Sequence, residues 1–300
     1  MKTKSIKRSN LLGDISIYAM FAPYAILFFI FTIIPIFASV VLSFSSYDMI
    51  SSPKFAGLSN YFTMFLDDKI FPIVVKNTLV FALITGPIGF LLSFVLAWFI
   101  NEFHPLARTV LSFLFYAPSL VGNGLFIWQV FFSGDSYGYL NSFLLSTGFI
   151  TEPIVWLSDS RYIMNIVILV QLWQSMGVSF LANIAGLQNV NAELYEAGAI
   201  DGIRNRWQEL WYITLPSMIN MLVFSAVMQI QSSFSVSAIT TALAGYPSVE
   251  YAADTVVSYL TDVGTTYFEM GYASAISVVL FLMMIIVRQI TVGLLGKMGK

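Results

Sequence analysis

The chain is poor in the residues that proteins most often use for chemistry. Its 300 residues include no cysteine and one histidine, and only 10% of its side chains are charged. Without cysteine there is no disulfide, no thiolate metal site and no thiol nucleophile. The one histidine, His104, stands next to Pro105 in a short loop, so a Ser/His pair for hydrolysis is unsupported. We therefore predict no catalytic residue, no metal site and no enzymatic activity for this chain.

Two binding patterns are also missing. Two Gly-Lys pairs occur, Gly296-Lys297 and Gly299-Lys300. Neither has the upstream glycine of the phosphate-cradling pattern GxxxxGK[ST], and Gly296-Lys297 also lacks the following Ser/Thr. The net charge is −2, and the one basic cluster lies at the N-terminus, within residues 2–8. We expect that this chain neither hydrolyses ATP nor binds nucleic acid.

Apolar residues, in contrast, are abundant. They make up 58% of the chain, and the mean hydropathy is +0.81, far above the range of soluble domains. A helix needs about 20 mostly apolar residues to cross a bilayer. Six uncharged or nearly uncharged runs of about this length predict an all-α integral membrane protein: residues 16–43, 77–100, 109–132, 163–182, 216–237 and 271–294.

The distribution of Lys and Arg predicts the orientation of these six spans. With a cytoplasmic N-terminus, ten of the fourteen basic residues fall on the inner side and four on the outer side. Basic residues favour the cytoplasmic side of a membrane. We therefore expect both termini, and the loop between the fourth and fifth spans, to be cytoplasmic.

The predicted spans contain no acidic residue, and their single basic residue is Arg288, near one end of the sixth. Ion-coupled transporters and pumps need ionisable groups within the bilayer to relay protons or ions. Their absence argues against a transporter that is driven by an ion gradient.

The spans do contain neutral polar and aromatic residues at helical spacing. One interpretation is that they join membrane helices by hydrogen bonds. The other is a pathway for an uncharged, hydroxyl-rich solute such as a sugar, which needs amides to hydrogen-bond and aromatic faces to pack against. The candidate pathway residues are Asn123, Trp128, Gln129, Trp173, Gln174, Gln229, Ser232, Ser233 and Phe234.

The loop between the fourth and fifth spans, residues 189–215, is called here the polar loop. Six charged residues fall between Glu193 and Glu209, whereas both flanking runs are uncharged. Asn191 followed by Glu193 indicates a helix start, which predicts a short helix over 192–200. Asp201-Gly202 indicates a turn.

After this turn, the spacing of Trp207, Leu210, Trp211 and Thr214 predicts a second, amphipathic piece at the membrane surface. On spacing alone, the polar loop could be an interfacial helical hairpin that only connects two spans.

The polar loop also resembles a known motif. Glu196-Ala197-Gly198, then Asp201-Gly202, then Ile213, Leu215 and Pro216 are similar to the EAA loop of the permease subunits of binding-protein-dependent ABC importers. Gly198 replaces the second alanine of that motif, and the spacing from Gly202 to Ile213 is one residue longer than in the family. The segments 156–159 (WLSD) and 271–275 (GYASA) resemble the carbohydrate branch, related to the maltose-type permeases, so the resemblance covers nearly the whole chain.

The resemblance implies that residues 1–300 form a single permease domain in a bacterial or archaeal plasma membrane. In that family, a cytoplasmic coupling helix between the fourth and fifth spans docks into a separate ATPase. Here the coupling residues would be Glu196, Ala197, Gly198, Asp201, Gly202 and Arg204.

The implied partners are a second homologous permease, two copies of a cytosolic ATPase that carries ATP and Mg²⁺, an extracellular solute-binding protein, membrane lipid and a sugar or oligosaccharide substrate. This chain itself would hold no cofactor. The alternative is an ATP-independent channel or facilitator for a neutral polar solute.

Overall fold

A computed structural model describes residues 18–120 and 124–298, which are mostly helical. The helices that matter below are α1 (Tyr18–Leu42), α2 (Phe71–Asn101), α3 (Pro105–Leu120), α4 (Leu125–Phe131), α5 (Tyr139–Ser146), α6 (Ile163–Gln174), α7 (Val178–Gln188), α8 (Ala192–Ile200), α9 (Arg206–Glu209), α10 (Ile219–Phe234), α11 (Ala238–Ala244), α12 (Val256–Thr265) and α13 (Met270–Met298). A π-helical stretch, Leu210–Thr214, continues α9, and the short helix Leu215–Ser217 follows it. The one strand pair among the described residues joins β1 (Ser45–Ser46) to β2 (Lys54–Phe55) in antiparallel register.

Five helical segments are long and apolar enough to cross a membrane: Tyr18–Leu42, Phe71–Asn101, Ile163–Gln188, Ile219–Ala244 and Met270–Leu295. The helices α3 and α4 together make a sixth if they form one span. Each predicted span overlaps one of these segments or this pair. The described chain is therefore a helical membrane protein with five or six candidate spans.

The predicted bounds of the second and fourth spans need correction. The second span begins at Phe71 rather than Asn77, because Pro72 suits the first turn of a helix and Lys76 is accommodated within it. The fourth span is not one continuous helix over 163–182. It breaks between Gln174 and Val178, where Gly177 has non-helical φ and ψ values of −102° and −126°, and then continues to Gln188.

The fifth predicted span, 216–237, also differs from the structure. The turn at Met218 precedes α10, and a second break at residues 235–237 separates α10 from α11. Neither break coincides with a proline or a glycine, so composition gave no signal for them.

The chain divides into two compact units. The first consists of residues up to Met64 together with Val263–Val278. Within it, the N–H of Gly271 donates to the carbonyl oxygen of Tyr47, and a Cβ atom at residue 271 would overlap the carbonyl oxygen of Ser45. Glycine therefore lets α13 begin directly against the backbone of the β1 segment.

The second unit consists of Phe65–Asp262 and Val279–Lys300. Its centre is formed by α2, α7 and α10, which pack on one another. One apolar cluster includes Phe94, Phe180 and Leu222, each at most 7% exposed. These three helices position both of the candidate sites described below.

Candidate functional site

The short helix of the polar loop, α8, begins and ends as its sequence predicts. The Asn191 side chain accepts a hydrogen bond from the N–H of Glu193, at 3.1 Å, and so caps the first turn. At the other end, Gly202 has a φ of +92°, which glycine adopts without strain. The N–H of Ile203 then donates to the carbonyl oxygen of Gly198 at 2.9 Å, and the N–H of Gly202 to that of Ala199. These two bonds form a Schellman motif, which fixes the direction of the chain after α8.

One face of α8 packs on the segment that follows it. Gly198 is buried, and a Cβ atom there would lie 2.7 Å from Ile213 Cδ1 and 3.1 Å from Ile203 Cδ1. The hydroxyl groups of Tyr195 and Thr214 are 2.9 Å apart. Gly198, the departure from the EAA pattern, therefore allows α8 to approach the π-helical stretch closely.

The opposite face of α8 is open. Glu193, Glu196 and Ala197 are exposed, and Ile200 is 87% exposed although it is apolar. Residues three, four and seven apart lie on one face of a helix. The face thus presents two carboxylates beside an uncovered isoleucine, a composition suited to contact with another protein.

The segment after α8 is attached to the end of the membrane helix α2. The rings of Trp98 and Trp207 meet with centroids 5.3 Å apart. Arg206 donates to Glu209 at 2.7 Å and also to Glu102, so its guanidinium bridges the two carboxylates. The hydrogen bond that Arg206 donates to Glu209 is the main cause that raises the pKa of Arg206, and the negative charges of Glu102 and Glu209 raise it further. The attachment joins residues 104 positions apart, which sequence spacing does not reveal.

The predicted second amphipathic piece does not have a single buried face. Leu210 and Thr214 are buried, but Trp207 is 63% exposed and Trp211 is 55% exposed. The π-helical stretch changes the number of residues per turn, so the spacing of an α-helix does not apply here. Arg204 is exposed, and its N–H donates to the side chain of Gln208 at 2.9 Å.

A second feature is a cavity of about 330 Å³ within the second unit, called here the polar cavity. Its volume lies at the lower end of the range for small-molecule sites. The residues that line it are Ser119, Gln171, Gln174, Ser175, Gly177, Val178, Ser179, Met228, Gln229, Gln231, Ser232 and Ser235. They come from the end of α3, from both sides of the break between α6 and α7, and from α10.

Several of these side chains are held by hydrogen bonds between helices. Gln229 is buried, accepts from the Ser179 hydroxyl at 3.1 Å and donates to the Thr85 carbonyl oxygen at 3.2 Å. Gln171 donates to the Ser232 hydroxyl at 3.0 Å. The amide groups therefore have fixed positions at the wall of the cavity.

A glycine on α2 makes room for Gln229. A Cβ atom at Gly89 would lie 3.0 Å from Gln229 Cδ and 3.2 Å from Ser175 Oγ, and it would overlap Gln229 Nε2. At Gly86, one turn earlier, the nearest heavy atom to such a Cβ is Ser233 Oγ, at 3.8 Å. The position of the Gln229 amide thus depends on glycine at residue 89.

The candidate pathway residues fall in different places. Gln174, Gln229 and Ser232 line the polar cavity. Ser233 faces α2 instead, where its hydroxyl lies 3.0 Å from that of Thr85, and Phe234 is buried.

Three further candidates, Trp128, Gln129 and Trp173, lie outside the lining of the polar cavity. Trp128 and Trp173 pack edge to face, with centroids 5.4 Å apart, and Gln129 donates to the carbonyl oxygen of Ala242. Asn123 lies outside the described residues. The structure therefore brings three of the nine candidates together around one cavity.

The loop between α11 and α12 is fixed to α2. Asn77 donates from its side chain to the carbonyl oxygens of Tyr251 and Asp254, at 2.7 and 3.0 Å. The hydroxyl of Thr78 accepts from the N–H of Val256 at 2.9 Å. Burial is the main cause that raises the pKa of the Asp254 carboxyl, and the negative charge of Asp262 raises it further. This carboxyl accepts a hydrogen bond from the N–H of Ser248. Sequence reasoning missed these contacts, which link positions more than 170 residues apart.

Among residues 18–120 and 124–298, no group of three or more His, Cys, Asp or Glu side chains is placed to hold a metal ion.

Comparison with known proteins gives clear relatives. The chain is 33% identical over 294 residues to "Probable ABC transporter permease protein YesP" of Bacillus subtilis (strain 168), and the alignment covers 97% of this chain and 91% of that protein. It is 31% identical over 282 residues to "Arabinooligosaccharides transport system permease protein AraP" of the same organism, covering 93% and 88%. It is also 30% identical over 219 residues to "Lactose transport system permease protein LacF" of Rhizobium radiobacter, covering 71% of each chain.

Among solved structures, a chain from a bacterial ABC transporter involved in the import of the acidic polysaccharide alginate has the same fold. The TM-score is 0.76 at 23% sequence identity, with 99% of each chain covered. A second structure of a bacterial alginate ABC transporter, in complex with an alginate pentasaccharide-bound periplasmic protein, matches at the same TM-score and covers 98% of that chain. No protein-family profile matches the chain.

Proposed function

The chain belongs to the permease subunits of sugar-importing ABC transporters, and from this premise we propose that its membrane helices form a saccharide pathway that a separate ATPase drives through the polar loop. The observation that carries the proposal is the open face of α8. This face presents Glu193, Glu196 and the 87% exposed Ile200, while the other face of the helix packs on the chain that leads into α10.

In this account α8 is the coupling helix, on the cytoplasmic side, and its open face docks on the ATPase. Glu196 supplies charge to the contact, and Gly202 allows the tight turn that follows the helix. A push on α8 is passed on because Gly198 packs closely on Ile213 and because Arg206 and Trp207 are attached to α2. Movement of the loop therefore acts on two membrane helices: α10, which lines the polar cavity, and α2, whose Gly89 makes room for Gln229 at the cavity wall.

The energy comes from partner chains. A pair of ATPase subunits would carry ATP and Mg²⁺, and a second, homologous permease would complete the pathway, with both termini of the present chain in the cytoplasm. An extracellular solute-binding protein would deliver the substrate. The periplasmic protein that accompanies the alginate importer supports such a partner by analogy.

The substrate would be a sugar or oligosaccharide that moves by alternating access past Gln174, Gln229 and Ser232. Amides and hydroxyls can exchange hydrogen bonds with sugar hydroxyls in turn, as donors or as acceptors. Trp128 and Trp173 offer aromatic surface close to α6. Family membership favours this pathway over an ATP-independent channel or facilitator.

The test is to purify the chain gently from its host membrane with a C-terminal tag and to identify the chains present in stoichiometric amount. We expect a second permease and an ATPase with the GxxxxGK[ST] motif. A chain that purifies alone, and that still moves a neutral sugar into vesicles without ATP, would overturn the proposal in favour of a facilitator.

A further inference from the structure

The polar cavity is neutral throughout. None of the described residues that line it carries a charge, and nine of the twelve are glutamine or serine. The remaining three are Gly177, Val178 and Met228. The wall thus contains both donors and acceptors but no side chain that could compensate an ionic group.

Some of this hydrogen-bonding capacity is unused. Gln229 is engaged at both ends of its amide, and Gln171 donates to Ser232. Gln174 and Gln231 make no side-chain hydrogen bond to other described residues, and each brings an amide with two donors and an acceptor. A hydroxyl-rich molecule can satisfy these amides, because each sugar hydroxyl both donates and accepts.

The broken helix beside the cavity adds no net charge. The N-terminal end of α7 carries a partial positive charge, which alone would favour an anion. The C-terminal end of α6, at Gln174, carries a partial negative charge, and only three residues separate it from the start of α7. The two ends offset each other, so an anionic group gains nothing from the break.

An anionic group bound at the amides of this cavity would lose part of its hydration without gaining a cationic partner. Removal of an ionised carboxylate from water is costly unless it is paired and hydrogen-bonded. The fold does not decide whether a permease accepts an acidic saccharide, since a chain of the same fold belongs to an importer of the acidic polysaccharide alginate. The charge of the residues that line the cavity decides it.

We propose that the polar cavity takes an uncharged saccharide and excludes acidic saccharides such as uronic acid oligomers. This inference rests on the proposed function and specifies its substrate class. The selection is made by this chain within the membrane, in addition to any choice made by the solute-binding protein.

The absence of cysteine from the chain makes a direct test possible. The variant Ser235→Cys places one thiol at the polar cavity, and Ser142→Cys, on the exposed side of α5, serves as a matched control. In the purified complex, each thiol is labelled with methyl methanethiosulfonate, which is neutral, and with its anionic 2-sulfonatoethyl analogue. Mass spectrometry of this chain then gives the two rates.

We expect the preference for the neutral reagent to be greater at Ser235→Cys than at Ser142→Cys by about tenfold or more, because the anion must shed water without a partner. When Gln174→Lys is added to Ser235→Cys, the ratio of the neutral to the anionic labelling rate should return towards its value at Ser142→Cys. When Gln174→Met is added instead, the ratio should not return. Equal ratios at the two thiols would overturn the proposal.

The saccharide itself is tested by protection of Ser235→Cys from the neutral reagent. We expect one or more of maltotriose, xylotriose, arabinotriose and raffinose to slow labelling, and trigalacturonate and trimannuronate to have no effect. Protection by the acidic oligomers, or by none of the neutral ones, would contradict the inference. These measurements need no ATP, so their failure leaves the co-purification result standing, and a failure of co-purification leaves the labelling ratios measurable.

Discussion

Trp98, on the membrane helix α2, and Trp207, in the polar loop, pack with their ring centroids 5.3 Å apart. The helix α2 has 31 residues and so is about 46 Å long. Near its other end, Asn77 holds the loop between α11 and α12. The helix α2 therefore contacts the polar loop near one end and the loop between α11 and α12 near the other. In the predicted topology, the loop between α11 and α12 lies on the outer side of the membrane.

Replacement of Trp207 by alanine should weaken the coupling of ATP hydrolysis to transport. An aromatic pair contributes about 0.5 to 1.5 kcal/mol beyond burial, so we expect a loss of roughly two- to tenfold in sugar imported per ATP hydrolysed. Trp211→Ala is the matched control, because Trp211 has a similar exposure and no ring contact among the described residues. Both ratios are measured in proteoliposomes, and equal losses would show that the Trp98 contact has no role in coupling.

Gly89→Ala should disturb the polar cavity without deleting any of its side chains. The new methyl group displaces the Gln229 amide, and transport should slow roughly five- to thirtyfold, as expected when one or two hydrogen bonds of about 1 kcal/mol each are lost. Gly86→Ala is the matched control. It gains the same helix propensity, but its new methyl group meets only Ser233 Oγ, at 3.8 Å. Initial rates of uptake compare the two variants. If both variants transport at the parental rate, Gln229 is not part of the pathway.

The packing of Gly198 on Ile213 should appear as a coupling energy. Gly198→Ala forces the Ile213 Cδ1 methyl to move, whereas Ile213→Val removes that methyl at a cost of about 0.5 to 1.5 kcal/mol. In the double variant the overlap with Ile213 Cδ1 is absent and the helix propensity of alanine is gained. We expect the double variant to be more stable than the sum of the single effects by about 0.5 kcal/mol or more. Thermal unfolding of the purified complex provides the measurement, and strict additivity would contradict the contact.

Asp254 should make the stability of the outer loop depend on pH. Its pKa is raised by burial above the ordinary carboxyl value of about 3.9, so the folded state retains the proton to higher pH than the unfolded state does. Stability is therefore greatest below the ordinary value and is lost as the pH rises through the raised one. Asp254→Asn removes this loss while its side-chain oxygen can still accept from Ser248.

The Tm of Asp254→Asn relative to the parent is the quantity to follow. Its advantage should be larger at about pH 8 than at about pH 3, below the ordinary carboxyl value, since the parent loses stability as the pH rises through the raised pKa. Asp159→Asn is the control with the opposite sign, because Arg161 lowers the pKa of Asp159 to about 2. A constant Tm difference for Asp254→Asn across this range would contradict the raised pKa.

The elements that could be predicted from the sequence are those whose causes are local. The cap at Asn191, the helix to Ile200 and the turn at Gly202 depend on neighbours a few residues away, and the structure has all three. Helical spacing also placed Gln229 and Ser232 correctly on one side of α10. The same spacing put Ser233 with them, but its hydroxyl faces Thr85 on α2 instead.

The contacts that the sequence could not predict join distant residues or depend on irregular backbone. Glu102 and Arg206 are 104 positions apart, and nothing in either segment indicates the other. The position of Gln229 depends on a glycine on another helix. The π-helical stretch at Leu210–Thr214 changes the helical phase, which is why the predicted amphipathic face is divided between buried and exposed residues.

The central claim, that an ATPase drives this chain through α8, is tested most directly by charge reversal at Glu196. The variant Glu196→Lys is reconstituted with its partner chains, and ATP-dependent sugar uptake is compared with that of Glu152→Lys, which makes the same change at an exposed residue between α5 and α6. We predict that Glu196→Lys inserts and folds normally but loses ATP-dependent uptake, whereas Glu152→Lys does not. Uptake by Glu196→Lys at the parental rate would contradict the coupling role of the polar loop.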